Sequence, residues 1–282
     1  MPNQSKHLDG GSSRRSFLVS TGAGLTAASF LPRAALAEGS SRRRAGTPRW
    51  GFLIDLRRCV GCEACTVSCK TENRVGLGGF RCTVTKYETG TFPNVDRVLL
   101  PVLCNHCANP ACIAKCPTKK TEHTWTDPDG KVHKWEGKKA TFQRPDGVVL
   151  IDEDECIGCG MCIRACPYGA RFVDPHTLCK TGRGAGRRRV TNKCTWCSHR
   201  LDDGIVPSCV NTCQSGARMI GDLNDPDSEI NRVLRENKEQ VRVLKASEGT
   251  DPHCFYIGPD NLDVAFEEGW NDRKAVKAAA KS

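Results

Sequence analysis

The sequence predicts an α+β fold in which short strands lead into cysteine-rich loops and then into short helices. Apolar, β-prone runs at 51–55, 98–103 and 148–152 each precede a group of closely spaced cysteines. Part of the chain is also repeated, because LIDLRRCVGCEAC (53–65) is echoed by LIDEDECIGCGMC (150–162). The unit of strand, loop and helix is therefore expected to occur several times along the chain.

The N-terminal segment predicts an export signal. Arg14 and Arg15 form a twin-arginine pattern, a weakly apolar run follows, and the stretch ALA at 35–37 is a small-residue cleavage site. Residues 1–37 are therefore predicted to be a twin-arginine signal peptide, followed by a linker at 38–50. Beyond it, no apolar run approaches the ~20 residues that span a bilayer. We expect the mature chain at the periplasmic face of a bacterial inner membrane.

The number of cysteines is unusual for a chain of this size. There are 19 cysteines in 282 residues, and a chain of this length can bury a core without disulfide bonds. An odd number also leaves at least one thiol unpaired if all the others form disulfides. The cysteines therefore need another chemical explanation.

Sixteen of the cysteines fall into four groups with related spacing. The first and third groups have the spacing C-x2-C-x2-C-x3-C, the second widens one gap to four residues, and the fourth widens it to eleven. The groups are Cys59, Cys62, Cys65 and Cys69; Cys104, Cys107, Cys112 and Cys116; Cys156, Cys159, Cys162 and Cys166; and Cys194, Cys197, Cys209 and Cys213.

This spacing is typical of [4Fe–4S] clusters. Three thiolates that are each separated by two residues can hold three corners of one cube. Gly61 and Gly158 lie between such cysteines and allow the backbone to turn tightly there. In two-cluster ferredoxins the fourth cysteine binds the other cluster and is followed by a proline, as Pro117 and Pro167 follow theirs here. Four groups therefore predict two ferredoxin-like pairs and four [4Fe–4S] clusters.

A zinc-binding interaction module is the alternative from a different class. A C-x2-C pair often holds zinc, but a tetrahedral zinc site uses two separated pairs and gains nothing from a third thiol at the same spacing. Disulfides are disfavoured because C-x2-C-x2-C crowds the thiols. Iron–sulfur clusters are the favoured interpretation.

The net charge does not indicate a nucleic-acid-binding protein. The formal charge is +10, of which residues 1–37 supply +3 from four basic side chains and one acidic side chain. The remaining +7 counts every cysteine as neutral. Four oxidised clusters with their thiolates carry about −2 each, which brings the charge of the loaded chain close to zero.

Together these motifs resemble the four-cluster iron–sulfur subunits of molybdopterin oxidoreductases related to dimethyl sulfoxide reductase. The resemblance rests on seven stretches within residues 51–258, which are IDLRRCVGCEACTVSC, LCNHCANPAC, ATFQRPDGVVLID, CIGCGMCIRACPYGARF, KCTWCSHRLDDGIVPSC, GARMIGDLNDPDS and DPHCFYIG. These motifs are specific for the type of subunit and carry little information about its substrate.

The resemblance implies two interleaved ferredoxin-like modules, in which the first cysteine group pairs with the fourth and the second with the third. Each cluster would then be held by three cysteines of one group and the last cysteine of the paired group. We name these sets quartet 1 (Cys59, Cys62, Cys65, Cys213), quartet 2 (Cys194, Cys197, Cys209, Cys69), quartet 3 (Cys104, Cys107, Cys112, Cys166) and quartet 4 (Cys156, Cys159, Cys162, Cys116). Because all sixteen positions are cysteine, no three-iron cluster is expected.

The remaining segments are assigned around these two modules. The first module comprises 51–97 and 194–222, and the second comprises 98–175. A basic loop at 176–193 and a C-terminal extension at 223–282 follow from this division. The end of the extension is rich in helix-forming residues, which predicts a surface helix or a frayed tail at 264–281.

Residues 118–140 are predicted to be a loop-rich insertion that forms a β-hairpin. The turn sequence Asp-Pro-Asp-Gly at 127–130 separates two short β-prone runs. Trp125 and Trp135 on this hairpin mark either a partner contact or, as the favoured interpretation, packing within the protein.

The basic loop carries six cationic side chains among glycines. It is expected to be solvated and flexible, with an acidic docking site as the alternative. The six are Lys180, Arg183, Arg187, Arg188, Arg189 and Lys193.

Five residues near the cysteine groups are assigned no ligand role. Cys82, Cys179 and Cys254 fall outside every group and are expected to be free buried thiols. His106 lies between two ligands and is expected to hydrogen-bond a cluster sulfur or a partner protein. Trp196 is expected to shield a cluster.

The expected function is the transfer of single electrons and not the conversion of a substrate. Cluster potentials span roughly −700 to +450 mV, so that clusters in a row can carry electrons between two partners. The resemblance implies a molybdopterin catalytic subunit and a multi-helix, quinol-oxidising membrane anchor as partners, with tetrathionate or a related sulfur compound as the acceptor. An equivalent relay in a sulfite-reductase-linked sulfur-oxidation membrane complex or in a periplasmic hydrogenase is the alternative.

Overall fold

The computed structural model describes residues 46–119 and 121–258, which belong to one compact unit. The predicted signal peptide and the predicted helix at 264–281 lie outside the described residues. The strands are β1 (Trp50–Asp55), β2 (Cys82–Thr91), β3 (Asn94–Leu103), β4 (Thr121–Thr126), β5 (Val132–Lys138), β6 (Thr141–Gln143), β7 (Val149–Ile151), β8 (Arg171–Leu178), β9 (Arg189–Lys193), β10 (Arg218–Asp222), β11 (Val241–Arg242) and β12 (Cys254–Ile257). The α-helices are α1 (Ala64–Glu72), α2 (Ala111–Ala114), α3 (Met161–Ala165), α4 (Ser198–Asp202), α5 (Ser208–Asn211) and α6 (Glu229–Glu236).

The mixture of short strands and short helices confirms the predicted α+β class. All three predicted strands are present, as β1, as the second half of β3, and as β7. The structure also extends β3 back to Asn94, because β3 pairs with β2 along its whole length. The strand therefore crosses the predicted boundary between residues 97 and 98.

A four-stranded sheet joins the beginning and the end of the described chain. Its strand order is β10–β1–β12–β11, with β1 antiparallel to β10 and parallel to β12. The other strands form the antiparallel hairpins β2–β3, β4–β5, β6–β7 and β8–β9. The predicted C-terminal extension therefore supplies two strands to the sheet that contains β1.

The central strand β1 is buried on both faces, as expected for a strand covered on each side of the sheet. Its side chains alternate, so that Phe52 and Ile54 pack in the main core beside Trp196. Leu53 packs on the opposite face against Ile230 of α6. The first cysteine loop begins just after this buried strand.

The predicted hairpin in the insertion is confirmed as β4 and β5. The carboxylate of Asp127 accepts backbone N–H groups of Asp129 and Lys131, at 3.1 and 2.8 Å, which fixes the turn. The ring of Trp125 lies 4.2 Å from the guanidinium of Arg144. Trp125 therefore packs within the protein, which was the favoured interpretation of the sequence.

The predicted basic loop is part of a hairpin. β8 and β9 pair across it, and the five cationic side chains from Lys180 to Arg189 are exposed, as a solvated loop requires. The prediction was wrong for Lys193, which is 1% exposed. It lies at the end of β9, where the strand enters the core.

Candidate metal centres

The four cysteine loops share one backbone feature. The residue two positions after the first cysteine has a left-handed conformation in every loop, with φ of 67° at Gly61, 43° at His106, 63° at Gly158 and 51° at Trp196. Glycine adopts this conformation without steric cost. At His106 and Trp196 the two rings stack with centroids 4.1 Å apart, which helps to offset the cost of the unfavourable backbone.

Three cavities are each lined by four cysteines. In each cavity, three cysteines of one group meet the last cysteine of another group. The cavities are lined by Cys59, Cys62, Cys65 and Cys213; by Cys104, Cys107, Cys112 and Cys166; and by Cys116, Cys156, Cys159 and Cys162. These sets are the members of quartets 1, 3 and 4.

The members of quartet 2 also lie together, and all four are buried. The side-chain amide of Asn73 is 3.7 Å from the sulfurs of both Cys69 and Cys197. Burial, with the neighbouring thiols of Cys209 and Cys197, raises the pKa of Cys69 to about 12. Burial also raises the pKa of Cys194, and Cys69 and Cys209 add to the effect.

Each C-x3-C pair contributes to two different sites. Cys65 and Cys69 are one turn apart on the same face of α1, yet Cys65 lines the cavity of quartet 1 and Cys69 lies with quartet 2. In the same way, Cys112 lines the cavity of quartet 3 and Cys116 that of quartet 4. Sites 1 and 2, and sites 3 and 4, are therefore neighbours.

Burial makes several thiols in these sites harder to ionise when no metal is bound. Burial, with the thiol of Cys104 nearby, raises the pKa of Cys107 to about 12. Burial likewise raises the pKa of Cys112 to about 11, although the charge of Arg171 opposes it. Binding of iron to such thiols releases their protons, so that metal affinity depends on pH.

The donor set fits iron–sulfur clusters. Four thiols around one cavity are the ligands that a [4Fe–4S] cube requires. None of the 19 cysteines, all of which lie among the described residues, forms a disulfide. Over residues 46–119 and 121–258, no group of three or more His, Cys, Asp or Glu side chains is placed to hold a single metal ion.

The three cysteines outside the quartets are all buried. Cys82 accepts a hydrogen bond from Nη2 of Arg218 at 3.1 Å. A hydrogen bond from the Cys82 thiol and the charge of Arg218 lower the pKa of Cys65 to about 6, although burial opposes them. Cys82 is therefore a neighbour of quartet 1, which no spacing rule could reveal. Cys179 lies near Cys156, and Cys254 lies within β12.

His106 was predicted to hydrogen-bond a cluster sulfur or another protein, and this prediction was wrong. Its Nδ1 accepts the backbone N–H of Val149 at 2.9 Å, and its Nε2 lies 3.1 Å from the carbonyl oxygen of Cys194. Because Nδ1 accepts, Nε2 carries the proton and donates to Cys194. Burial keeps the pKa of His106 well below its usual range, so the ring is neutral. His106 therefore joins the second cysteine loop to the fourth.

Trp196, which was predicted to shield a cluster, is 1% exposed and stacks on the ring of His106.

Comparison with known proteins agrees with this geometry. A family described as a 4Fe-4S dicluster domain matches residues 95–223. A tetrathionate reductase subunit of Salmonella typhimurium is 43% identical over 263 residues, covering 90% of each chain. The chain is an iron–sulfur subunit of the molybdopterin oxidoreductase family. The zinc alternative is therefore wrong.

Other iron–sulfur subunits are also similar. The arsenate respiratory reductase iron–sulfur subunit of Shewanella sp. is 35% identical, covering 77% of this chain and 100% of that one. A sulfite dehydrogenase subunit of Allochromatium vinosum is 38% identical, covering 73% and 81%. This iron–sulfur subunit thus serves electron transfer with iron–sulfur clusters as cofactors. Among the helices of the described residues, none is both long and apolar enough to span a membrane.

Proposed function

We propose that the chain relays single electrons through four [4Fe–4S] clusters held by quartets 1 to 4. The observation that carries this proposal is the sharing of every C-x3-C pair between two sites. Cysteines one helical turn apart, such as Cys65 and Cys69, then hold neighbouring clusters, which keeps the steps between clusters short. The two interleaved ferredoxin-like modules follow from the same pairing.

The proposed relay has an accessible end at quartet 1. Cys62 is exposed, and Val60 beside it is 69% exposed, whereas all thiols of quartet 2 are buried. Solvent exposure is one of the factors that set cluster potential. An exposed cluster is also the one that can approach a partner closely. Quartet 1 is therefore suited to exchange electrons with another subunit.

The proposed partners are a molybdopterin catalytic subunit and a quinol-oxidising, multi-helix membrane anchor. Tetrathionate, or a related sulfur compound, is the proposed terminal acceptor, because the 43% identity extends over 90% of a tetrathionate reductase subunit. The second candidate is a complex that runs the relay in the oxidative direction, supported by the similarity to a sulfite dehydrogenase subunit. The twin-arginine pattern at Arg14 and Arg15 supports export to the periplasmic face of the inner membrane.

The proposal is tested on the purified chain and on the complex from the native membrane. The anaerobically purified chain is expected to contain about sixteen iron atoms and to show paramagnetic signals of four clusters after reduction with dithionite. About eight iron atoms per chain would contradict the cluster count. Purification from the native membrane identifies the subunits that accompany the chain. The complex is then assayed with tetrathionate, polysulfide, arsenate and, as electron donor, sulfite. Turnover of sulfite but not of tetrathionate would favour the second candidate.

A further inference from the structure

Three cationic side chains are buried near the quartets without a carboxylate partner. Arg171, Lys193 and Arg218 are 3%, 1% and 5% exposed. Within the described part of the chain, no acidic side chain forms an ion pair with any of them. Arg144 is equally buried but is paired with two carboxylates. Because an unpaired buried charge is costly, the three must face other negative groups.

Arg171 lies between sites 3 and 4. It lines the cavity of quartet 3, and its Nη2 donates to the sulfur of Cys112 at 3.0 Å. Its Nη1 donates at 3.2 Å to the hydroxyl of Thr141, which lines the cavity of quartet 4. One planar guanidinium therefore reaches the walls of both cavities.

Arg218 lies between sites 1 and 2. It lines the cavity of quartet 1, and its Nη1 is buried without a hydrogen-bond partner. Its Nη2 donates to the sulfur of Cys82 at 3.1 Å. Burial acts to lower the pKa of Arg218, but its interactions with Cys82, Cys209 and Cys65 outweigh burial and raise it. Cys209 belongs to quartet 2 and Cys65 to quartet 1. The orphaned Nη1 indicates an anionic group that the protein atoms do not supply.

Lys193 lies between sites 2 and 3. Its Nζ donates to the carbonyl oxygen of Cys194, a member of quartet 2, at 2.7 Å. It also donates to the carbonyl oxygen of Val149, a residue that lines the cavity of quartet 3. The three cations thus occupy the three gaps between four successive sites.

We propose that Arg218, Lys193 and Arg171 are fixed positive charges, one in each gap, that stabilise the reduced state of the clusters on both sides. This inference rests on the proposed four-cluster assignment. Each one-electron reduction, with the electron supplied by the donor subunit or by dithionite, adds one negative charge to a site. A buried cation between two sites stabilises that added charge at either one, because buried charges interact strongly and are little screened by salt. Each cation therefore raises the reduction potentials of two clusters and favours passage of the electron across its gap.

The test compares Arg171→Gln with Arg218→Gln in the full chain loaded with its clusters. Potentials are measured by redox titration followed by electron paramagnetic resonance, after iron analysis shows about sixteen atoms per chain. We expect each variant to lower the potentials of two clusters and to leave the other two unchanged. The two affected pairs are different, so that each variant is the control for the other.

The result that overturns the inference is equally specific. Potentials that do not move, a shift shared by all four clusters, or the same pair shifting in both variants would each reject the assignment of one cation to one gap. If Arg171→Gln is isolated without iron, the titration uses Arg171→Lys instead. This variant keeps the positive charge but loses the paired contacts of the guanidinium with Thr141 and Cys112. Its potentials are then expected to stay near those of the unaltered chain, and a fall in them excludes charge as the cause. A parent chain without iron would instead reject the proposed function itself.

Discussion

The sharing of each C-x3-C pair between two sites makes a prediction about which double variants damage one cluster and which damage two. Cys116 lines the same cavity as Cys159, and Cys112 lines a different one, although Cys112 is closer to Cys116 in the chain. The two double variants Cys112→Ala with Cys116→Ala, and Cys116→Ala with Cys159→Ala, therefore remove the same number of thiols from different numbers of sites.

The magnitude follows from the cavity linings. Cys112→Ala with Cys116→Ala takes one thiol from quartet 3 and one from quartet 4, so about two of the four [4Fe–4S] clusters should remain. Cys116→Ala with Cys159→Ala takes both thiols from quartet 4, so about three should remain. Changes at independent sites add, and changes within one site do not. The numbers of intact clusters therefore differ between two variants of equal thiol content.

The assay is spin quantification of the [4Fe–4S] signals in anaerobic, dithionite-reduced protein. Cys254→Ala is the matched control, because Cys254 is buried but lies outside every quartet, and it should retain all clusters. If ligands were grouped as they occur in the chain, the two double variants would exchange their results. That reversed outcome would refute the pairing of the quartets.

Three further predictions concern stability and export. Arg144→Met leaves the buried carboxylate of Asp146 without its cation, and should lower the free energy of unfolding by about 3–5 kcal/mol in anaerobic urea denaturation. The control Lys180→Met removes an exposed cation and should have no measurable effect. His106→Phe leaves the buried backbone N–H of Val149 without its acceptor, whereas the carbonyl of Cys194 still accepts from Lys193, so the variant should cost about 1–3 kcal/mol in the same assay. Arg14→Lys with Arg15→Lys should keep the protein in the cytoplasm; its recovery from the periplasm with no exported partner present would reject the signal assignment.

Features determined by neighbouring residues were predictable. The spacing of Cys59, Cys62 and Cys65 is meaningful because it describes one loop, and the structure brings these three to one cavity. The turn at 127–130 was equally local, since Asp127 bonds to N–H groups only two and four residues away. In both cases the residues that determine the geometry are close together in the chain.

Features that depend on remote segments were not predictable from spacing alone, and the grouping of remote cysteines into quartets came from the family resemblance. The burial of Lys193 was not predicted, because six cations among glycines resemble one solvated loop, and only the pairing of β9 with β8 carries Lys193 into the core. Arg171 and Arg218 each lie a few residues after the last cysteine of a cysteine group. The side chains they contact, such as Thr141 for Arg171 and Cys82 for Arg218, come from remote parts of the chain. His106 was expected to contact sulfur, and its actual partners are backbone atoms at 149 and 194.

The distance in sequence between the members of quartet 1 has a consequence for biosynthesis. Cys59, Cys62 and Cys65 are the first of the quartet thiols to leave the ribosome, yet their cavity is closed by Cys213. The walls of the cavities of quartets 3 and 4 need nothing beyond residue 191 except Thr250. On the proposed assignment, the first three thiols to be made therefore cannot complete their cluster site until residue 213 has been synthesised.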